Sequence, residues 1–514
     1  MADAPPPARF TEPRPSVPEE PPGSRRVARA DVIRADALSA GRSAFVLCLL
    51  PILAAIFLAA HVEPFWSDPW LHFGALGVAG AAWWVAIRLA RSGSGDLKVV
   101  VAGAIALRLL ALVASPDLSD DVYRYAWEGE LVSSGISPYA SAPEDPRHAE
   151  LAARIPQIHA RVNHPEVSAA YPPVAQLAFA GVVRVAHAIS DATGADRQPT
   201  TLRSMRVFFT LCDLACLIPL VLLLRRTKLP ASLAVAWGWS PLIALEFGAS
   251  AHFDSLGILF LLGSLAAFVA SGDREARGGR EFALDVLGGV LLGAAIWVKL
   301  LPLCVAPFAL RGPARWLRAA ALLLSLLALA TPVVFWTGGT NGLLAGLSAY
   351  GLRWEAFSFV YVWIEKFPRD FLGLAMDEGP TDPRVLARSF VLLLWVGFGV
   401  WTYGRTRSVL RATTRLIAAF LVLTPTLHPW YLAWMVPFLA LRPRESWLWV
   451  VFVAPLLYVT RANWVLSGDA IAPDWLWLAV ALPFLVLLAY EVRVSSALRR
   501  RGDRHRRVLP LESA

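Results

Sequence analysis

Charged residues are scarce in this chain. Asp, Glu, Lys and Arg together supply 17% of its 514 residues, whereas hydrophobic residues supply 56%. Soluble domains carry about 25% charged residues, and a soluble chain of this length would divide into several domains, each of which needs a polar exterior. The shortage of charge therefore excludes an ordinary array of soluble domains.

Cysteine is rare as well. The four cysteines lie in apolar segments, and neither a CxxC motif nor a histidine at metal-ligand spacing accompanies them. This pattern argues against a disulfide framework and a cysteine-based metal site, so we interpret Cys48, Cys212, Cys216 and Cys304 as small hydrophobic side chains. A GxGxxG motif after a strand is also absent, so nothing indicates a nucleotide-binding Rossmann domain.

What the chain does contain is a series of long apolar runs between residues 44 and 490. A helix needs about 20 apolar residues to cross about 30 Å of hydrocarbon. The 21 tryptophans suit rings anchored at the headgroup level. We predict an all-α, polytopic helical membrane protein with about fourteen spans. The predicted spans are 44–61, 71–90, 99–115, 207–224, 230–248, 255–270, 282–298, 300–310, 319–336, 389–404, 416–427, 430–441, 446–460 and 475–490.

The few charges are placed unevenly, and the net charge is +9. Lys and Arg cluster in short connectors and near both termini, as the positive-inside rule predicts for cytoplasmic segments, and this placement argues against nucleic-acid binding. Residues 1–42 are rich in Pro and Arg and are predicted to form a disordered cytoplasmic tail. Residues 43–492 are predicted to form the transmembrane domain, and residues 493–514 a second basic cytoplasmic tail.

One apolar run is predicted not to cross the membrane. Segment 171–186 has the length and apolarity of a short span, but counting it as one would place the basic connectors RRTK and RPRE outside. We therefore predict a helix that lies on the outer leaflet or dips into it, with Arg184 and His187 on its polar face. The predicted external segments are then 116–206, which carries surface helices, and the loop 337–388.

With this topology, the unusual polar residues collect at the outer face. Asp120 and Asp121 follow the third predicted span, and His252 and His428 lie at the outer ends of other spans. Ionisable groups at a bilayer are costly unless they are functional, so their convergence predicts a site at this face. Charged residues within or beside spans accompany them, namely Arg108, Asp213, Glu246 and Lys299.

A purely structural role is open to most of these residues. Asp120 and Asp121 are suitable N-cap residues for a helix that starts near Val122. Structural roles are also open to His428 as an interfacial residue, to Lys299 as a side chain that snorkels to a headgroup, to Asp213 in an interhelical hydrogen bond, and to Trp430 and Trp434 as belt aromatics.

Several segments carry a resemblance to a known family. SDDVYRYAWEGELVSSGISPYASAPEDP is followed along the chain by YPPVAQLAF, HFDSLG, VKLLP, RWEAF and HPWYLAW. From about Arg108 to Trp434 they resemble the bacterial polyprenol-phosphate-sugar-dependent mannosyltransferases, which belong to the GT-C superfamily near glycosyltransferase family 87 and the GPI mannosyltransferases. Two positions depart from the family pattern. Ser137 stands where the family has Asn before Pro-Tyr, and residues 356–358 differ from its Trp-Glu-Phe-Asn run.

The resemblance implies an inverting glycosyltransferase in the bacterial inner membrane, with its active site on the extracytoplasmic side. Such an enzyme moves a sugar, expected to be mannose, from a polyprenyl-phosphate donor to a lipid- or glycan-linked acceptor. This donor is already activated, so no cofactor is expected, although the two neighbouring carboxylates together with Asp254 leave Mg²⁺ open.

Transfer requires a carboxylate that takes a proton from the acceptor hydroxyl and cations that stabilise the departing phosphate. We assign the base to Asp121, with Asp120 beside it as the second catalytic candidate. The candidates for binding the donor phosphate are Arg353, His428, Lys299, Arg108 and Arg124, and those for binding the acceptor are Glu128, Tyr139, His252 and Asp254.

Two rival functions are weaker. A transporter or flippase of lipid-linked saccharides predicts inverted repeats and polar groups near the membrane midplane, whereas this sequence shows no clear repeat and its polar groups cluster at one face. A non-catalytic scaffold leaves the cluster around Asp121 without a role.

Overall fold

The fold is all α-helical, as the sequence predicted. In this computed structural model the described residues are 39–61, 66–114, 118–272, 278–336, 345–376, 379, 381–468 and 472–508. Helix makes up 78% of the structure, and no strand occurs within those ranges. Most of the predicted N-terminal tail, residues 1–38, lies outside the described residues.

Ten helices in the described part of the chain are long and apolar enough to cross a bilayer, which confirms a polytopic membrane protein. Nine of them coincide with predicted spans, and the tenth is Pro173–Thr193, which contains most of the segment predicted to stay at the surface. The principal helices are α1 (Ser39–Ala59), α2 (Pro69–Arg91), α3 (Leu97–Val113), α4 (Asp121–Ser133), α5 (Pro173–Thr193), α6 (Arg197–Arg226), α7 (Asp254–Ser271), α8 (Gly279–Val298), α9 (Arg315–Val333), α10 (Pro383–Arg405), α11 (Val409–Leu423), α12 (Glu445–Ser467) and α13 (Asp474–Ser495).

Capping side chains define where several helices begin. Asp68, Asp96 and Asp196 precede α2, α3 and α6, and each carboxylate accepts a hydrogen bond from a backbone N–H of the first turn. Asp382 and Ser408 do the same for α10 and α11. These N–H groups have no carbonyl partner within the helix, so a side-chain acceptor at this position stabilises the helix start.

Three predicted spans are broken or short. Segment 230–248 is a series of short turns that leads into a π-helical turn, Ala244–Ala249. Two others begin with the 3-10 turns Leu301–Val305 and Pro429–Trp434. Proline occupies the first or second position of both 3-10 turns, and because it lacks a backbone N–H it interrupts a continuous helix. Such backbone is tolerated at bilayer depth only where protein or a cavity covers it.

Ion pairs connect helix ends that the charge pattern predicts to lie on the same side. At one end of the bundle, Arg88 of α2 lies 2.8 Å from Glu445 of α12. At the other end, Lys299, which directly follows α8, lies 2.7 Å from Asp254 at the start of α7. We call this second end the site end.

Segment 300–310 turns back from the site end and packs beside α8. It leaves α8 at Lys299, at the site end. Arg318, in the first turn of α9, donates both to the carbonyl of Ala309 and to the carboxylate of Asp285 near the start of α8. Asp285 lies about 21 Å along α8 from Lys299, so the end of the segment lies partway along this helix.

Helix α5 packs at the site end. Its Phe179 stacks on Tyr125 of α4 at a centroid distance of 4.8 Å and meets Phe209 of α6 edge-on at 6.2 Å. Leu177 packs into a small cluster that contains Val333, the last residue of α9. These neighbours place the first turns of α5 at the site end, and the surface location of this helix stays a prediction.

Reporter fusions test the placement of α5. Paired fusions after residue 165 and after residue 195 should both report the external side, because the chain is predicted to enter and leave α5 on the same face. A reporter active only outside the membrane and one active only inside make each result unambiguous. Opposite reports from the two positions would show that α5 crosses and that another span is misassigned.

Candidate active site

A cavity of about 1120 Å³ lies at the site end. Its polar lining includes the start of α4, Lys299 and His428, together with Asn163 from the loop before α5. Its apolar lining comes from the turn after Lys299 and from α10 and α11. Some of the sequence-predicted candidates therefore line one cavity, whereas others lie elsewhere.

Asp121 is the first residue of α4, and it lines the cavity. One carboxylate oxygen accepts a 2.6 Å hydrogen bond from Nδ2 of Asn163, and the other accepts a 3.3 Å hydrogen bond from the hydroxyl of Tyr125. The second oxygen also lies 3.7 Å from Nε2 of His252. Both hydrogen bonds come from neutral groups, which orient the carboxylate and leave it able to accept a proton.

Asp120 occupies the N-cap position of α4, but its side chain makes no capping hydrogen bond. Its carboxylate accepts from Arg161 at 3.1 Å and from Arg461 at 2.8 Å. Ser119 instead accepts the backbone N–H of Asp121 through its hydroxyl at 3.2 Å. The N-cap interpretation is therefore wrong for the Asp120 side chain, which holds two arginines from distant parts of the chain.

Arg124 and Glu128 support the cavity wall. Arg124 donates to Glu128 at 2.9 Å. Its guanidinium also donates to four backbone carbonyls of the loop 163–168, those of Asn163, His164, Val167 and Ser168. Glu128 is buried and accepts a 2.6 Å hydrogen bond from Gln176. Burial raises the pKa of Glu128, against the opposing effects of Arg124 and Gln176. Arg124, paired with Glu128, therefore holds the loop that carries Asn163.

Lys299 is a cation of the cavity lining. Its ammonium group lies 2.7 Å from Asp254 and 4.0 Å from the ring centroid of Tyr431. Asp254 is fully buried, and its same oxygen accepts a 2.5 Å hydrogen bond from the indole of Trp434. The buried carboxylate thereby holds the ammonium group in place. Trp434 is 1% exposed, so the interpretation of this residue as a belt aromatic is wrong.

Two histidines sandwich a tryptophan beside the catalytic candidate. His428 stacks on Trp430 with centroids 4.3 Å apart, and His252 stacks on Trp430 with centroids 4.1 Å apart. Burial lowers the pKa of His428 to about 4, despite the nearby carboxylate of Asp121. His428 is therefore neutral at pH 7 and can donate a hydrogen bond, but it does not supply a cation.

Glu128, His252 and Asp254 are buried behind the cavity and do not line it, and three other sequence-predicted candidates lie elsewhere or cannot be placed. Arg108 is buried and pairs with Asp213 at 2.7 Å, in keeping with the structural role open to Asp213, and it is not part of the cavity lining. Tyr139 is buried and donates to the carbonyl of Tyr171 at 2.8 Å. The side chain of Arg353 lies outside the described part of the structure.

Sequence reasoning missed several polar residues of the lining, and Arg461, Tyr350, Tyr431 and Asn163 are among them. Arg461 pairs with Asp120, and its position in a predicted external connector was the available signal. The hydroxyl groups of Tyr350 and Tyr431 are hydrogen-bonded to each other, and burial raises the pKa of Tyr350. No pattern in the sequence marked Asn163, because its role depends on how its loop folds over α4.

The apolar part of the cavity extends away from the polar groups. Leu300, Leu303 and Cys304 line it on one side, and Trp395 of α10 and Phe420 of α11 line it on the other. Leu303 remains 53% exposed. The cavity therefore joins a polar chamber to an exposed apolar surface that suits a lipid chain.

Two of the three carboxylates that left a Mg²⁺ site open already have cationic partners. Asp120 accepts from two guanidinium groups, and Asp254 accepts from Lys299. Within the described residues no group of three His, Cys, Asp or Glu has the spacing of a metal site. We therefore assign no residue to a metal.

An all-α membrane bundle with such a carboxylate at a cavity that is part polar and part apolar fits the class of membrane-embedded glycosyltransferases. Residues 42–315 match the family model described as alpha-(1->6)-mannopyranosyltransferase, N-terminal domain. The chain belongs to this family, which confirms the resemblance to GT-C mannosyltransferases. Searches of curated proteins and of solved structures returned no match.

Proposed function

We propose that this glycosyltransferase moves mannose from a polyprenyl-phosphate donor to a lipid- or glycan-linked acceptor, with inversion, at the outer face of a bacterial inner membrane. The observation that carries the proposal is the position of Asp121 in a cavity with one polar and one apolar part. A lipid-linked donor needs both parts, because its chain is hydrophobic and its phosphate and sugar are polar.

Asp121 acts as the general base in this proposal. The acceptor O–H proton moves to the carboxylate while the acceptor oxygen forms a bond to the anomeric carbon. The bond from that carbon to the phosphate oxygen breaks, and its electron pair stays on the lipid phosphate. A single displacement of this kind inverts the anomeric centre. The amide of Asn163 and the hydroxyl of Tyr125 hold the base in place.

Lys299 stabilises the departing phosphate. Its ammonium group borders both the polar groups and the apolar wall that begins at Leu300, which is where a phosphate between a lipid chain and a sugar would lie. A cation held in position in a partly dry site stabilises developing charge more than a mobile cation in water does. His428, which is neutral at pH 7, adds a hydrogen-bond donor beside it.

The acceptor enters on the side of Asn163 and Trp354. Both residues line the cavity. Asn163 donates to Asp121, and the indole of Trp354 meets His164, the next residue along the chain, at a centroid distance of 4.3 Å. An aromatic face and a side-chain amide are groups that suit a sugar. Glu128 and Tyr139 lie behind this wall and act on the acceptor only through the loops that they support.

The direct test is transfer by purified protein. Wild-type protein incubated with labelled polyprenyl-phosphate mannose and native membrane lipid should give a labelled product of altered mobility, and polyprenyl-phosphate glucose should serve less well. A protein that moves the labelled donor across vesicle membranes without forming a product would establish the transporter function and overturn the proposal.

Cysteine labelling tests the proposed orientation. Glu166→Cys and Thr227→Cys, each in a cysteine-free background, place single thiols at exposed positions near the site and in the RRTK connector. A membrane-impermeant maleimide applied to intact cells should label the first and spare the second, because both termini and the connectors at Arg225 and Arg442 are predicted to be cytoplasmic. Permeabilised cells supply the control in which both react. Labelling of the second thiol in intact cells would contradict the orientation.

A further inference from the structure

An unusual backbone places His252 behind Asp121. The π-helical turn Ala244–Ala249 precedes it, and Ala251 has a φ of 59°, in the left-handed region that side chains disfavour. As a result, the backbone N–H of His252 donates to the carbonyl of Glu246 at 3.0 Å. π-helical turns and strained residues of this kind concentrate at functional sites.

The same turn fixes the imidazole. Nδ1 of His252 lies 3.1 Å from the carboxylate and 3.2 Å from the carbonyl of Glu246. The hydroxyl of Tyr458 donates to this carboxylate, at 2.9 and 3.0 Å from its two oxygens, and Trp430 stacks on the ring. Nδ1 is therefore the protonated nitrogen, because both of its neighbours are acceptors. This tautomer leaves a lone pair on Nε2.

Nε2 of His252 is a buried atom with no hydrogen-bond partner among the described residues. It faces a carboxylate oxygen of Asp121 at 3.7 Å. An unpaired polar atom in the interior costs free energy, so its presence calls for an explanation. Its position 3.7 Å from the proposed base supplies one.

We propose that His252 is a positioning residue that receives, at Nε2, the proton which Asp121 takes from the acceptor hydroxyl, with Glu246 fixing its tautomer and stabilising its charged form. The proposal rests on the proposed function. The proton moves from the hydroxyl to Asp121 and then to Nε2, and the leaving phosphate keeps the electron pair of the broken bond. After the product leaves, the proton returns through Asp121 to water in the cavity. A small movement closes the gap of 3.7 Å to hydrogen-bond distance.

The charged groups around the ring favour this role. Asp121, Glu246 and Asp254 face it with carboxylates, and His428 lies on the far side of Trp430. Burial lowers the pKa of His252, but the hydrogen bond to Glu246 and the three carboxylates outweigh it, so the net effect raises the pKa above its ordinary value of about 6.5. A raised pKa suits a proton acceptor.

The pH profile of transfer tests the relay. His252 must be neutral to accept a proton, so wild-type activity should fall as the pH falls through the raised pKa of this residue. His252→Asn keeps an amide donor toward Glu246 but cannot accept a proton. We expect its turnover to drop by no more than about a hundredfold, the lower end of the 10²–10⁴-fold that an acid–base group contributes, because Asp121 remains. Its acid limb should move to lower pH, where the ionisation of a carboxylate sets it.

A second variant and a matched control distinguish loss of the relay from misfolding of a single variant. Glu246→Gln removes the charge that raises the pKa of His252, so its acid limb should also move to lower pH, even if His252→Asn fails to insert. His187→Asn changes another histidine that pairs with a glutamate, Glu130 at 2.8 Å, but lies outside the cavity, and its profile should match the wild type. If both site variants keep the wild-type acid limb, the relay is wrong while Asp121 can still be the base. If wild-type protein transfers no sugar, the proposed function itself fails.

Discussion

Asp121→Asn should abolish sugar transfer while the protein remains folded and inserted in the membrane. Asn has nearly the size of Asp, and its carbonyl oxygen can keep the 2.6 Å hydrogen bond from Asn163, while its amide nitrogen replaces the oxygen that accepts the longer 3.3 Å bond from Tyr125. It cannot accept the acceptor's proton, and removal of a general base typically lowers the rate by about 10²–10⁴-fold. The measurement is turnover of polyprenyl-phosphate mannose by detergent-purified variants that elute at the wild-type position.

Asp120→Asn is the matched control. The carboxylate of Asp120 is held by Arg161 and Arg461, so it is less available than that of Asp121 to take a proton. We therefore expect a milder loss, caused by weaker anchoring of the two arginines. If Asp120→Asn is inactive and Asp121→Asn is active, the base is the neighbouring residue and the mechanism stands. If both variants keep wild-type turnover, neither carboxylate is the general base, and the transporter function becomes the better explanation.

Lys299→Gln should cause the second largest loss. If the ammonium group stabilises the departing phosphate, its removal should cost about 2–4 kcal/mol of transition-state stabilisation, which is comparable to the loss of one oxyanion donor. The single variant also leaves the buried carboxylate of Asp254 without its cation, and a buried unpaired charge destabilises a fold. Thermal unfolding of the purified variant must therefore be measured beside its turnover at limiting donor.

The double variant Lys299→Gln, Asp254→Asn separates the two effects. It removes both charges of the pair and leaves neutral groups that can hydrogen-bond to each other, so it should regain much of the thermal stability that the single variant loses. Its turnover should stay low, because the cation beside the apolar wall is still missing. Recovery of turnover together with stability would mean that Lys299 only neutralises Asp254, and Arg461 would then become the leading cation of the lining.

Local patterns made much of the molecule predictable. Apolar runs of spanning length predicted nine of the ten long apolar helices at their observed places, because the length of such a run depends only on neighbouring residues. Capping aspartates and prolines fixed helix starts for the same reason. The segment SDDVYRYAWEG by itself indicates Asp121 as a candidate, since two adjacent carboxylates at the end of an apolar run are unusual.

Roles that depend on distant partners were not predictable in the same way. Arg108 had the same sequence signal as Lys299, yet it is paired with Asp213 away from the cavity, while Lys299 lines it. Trp434 had the signal of an interfacial aromatic, yet it lies buried and donates to Asp254, 180 residues away along the chain. Whether a charge in an apolar segment is structural or functional depends on which helix packs against it.

By itself, the sequence determined that this protein is a helical membrane protein, where most of its helices run, and that its polar residues gather at one face, because apolar length and charge placement act over short stretches of chain. Only the tertiary structure decided which of those residues share the cavity. Asp120 meets Arg461 across 341 residues and Asp121 meets Asn163 across 42, and His252 reaches Asp121 only because a π-helical turn and a left-handed alanine redirect the backbone. Contacts of this kind arise from the packing of whole helices, which no local pattern records.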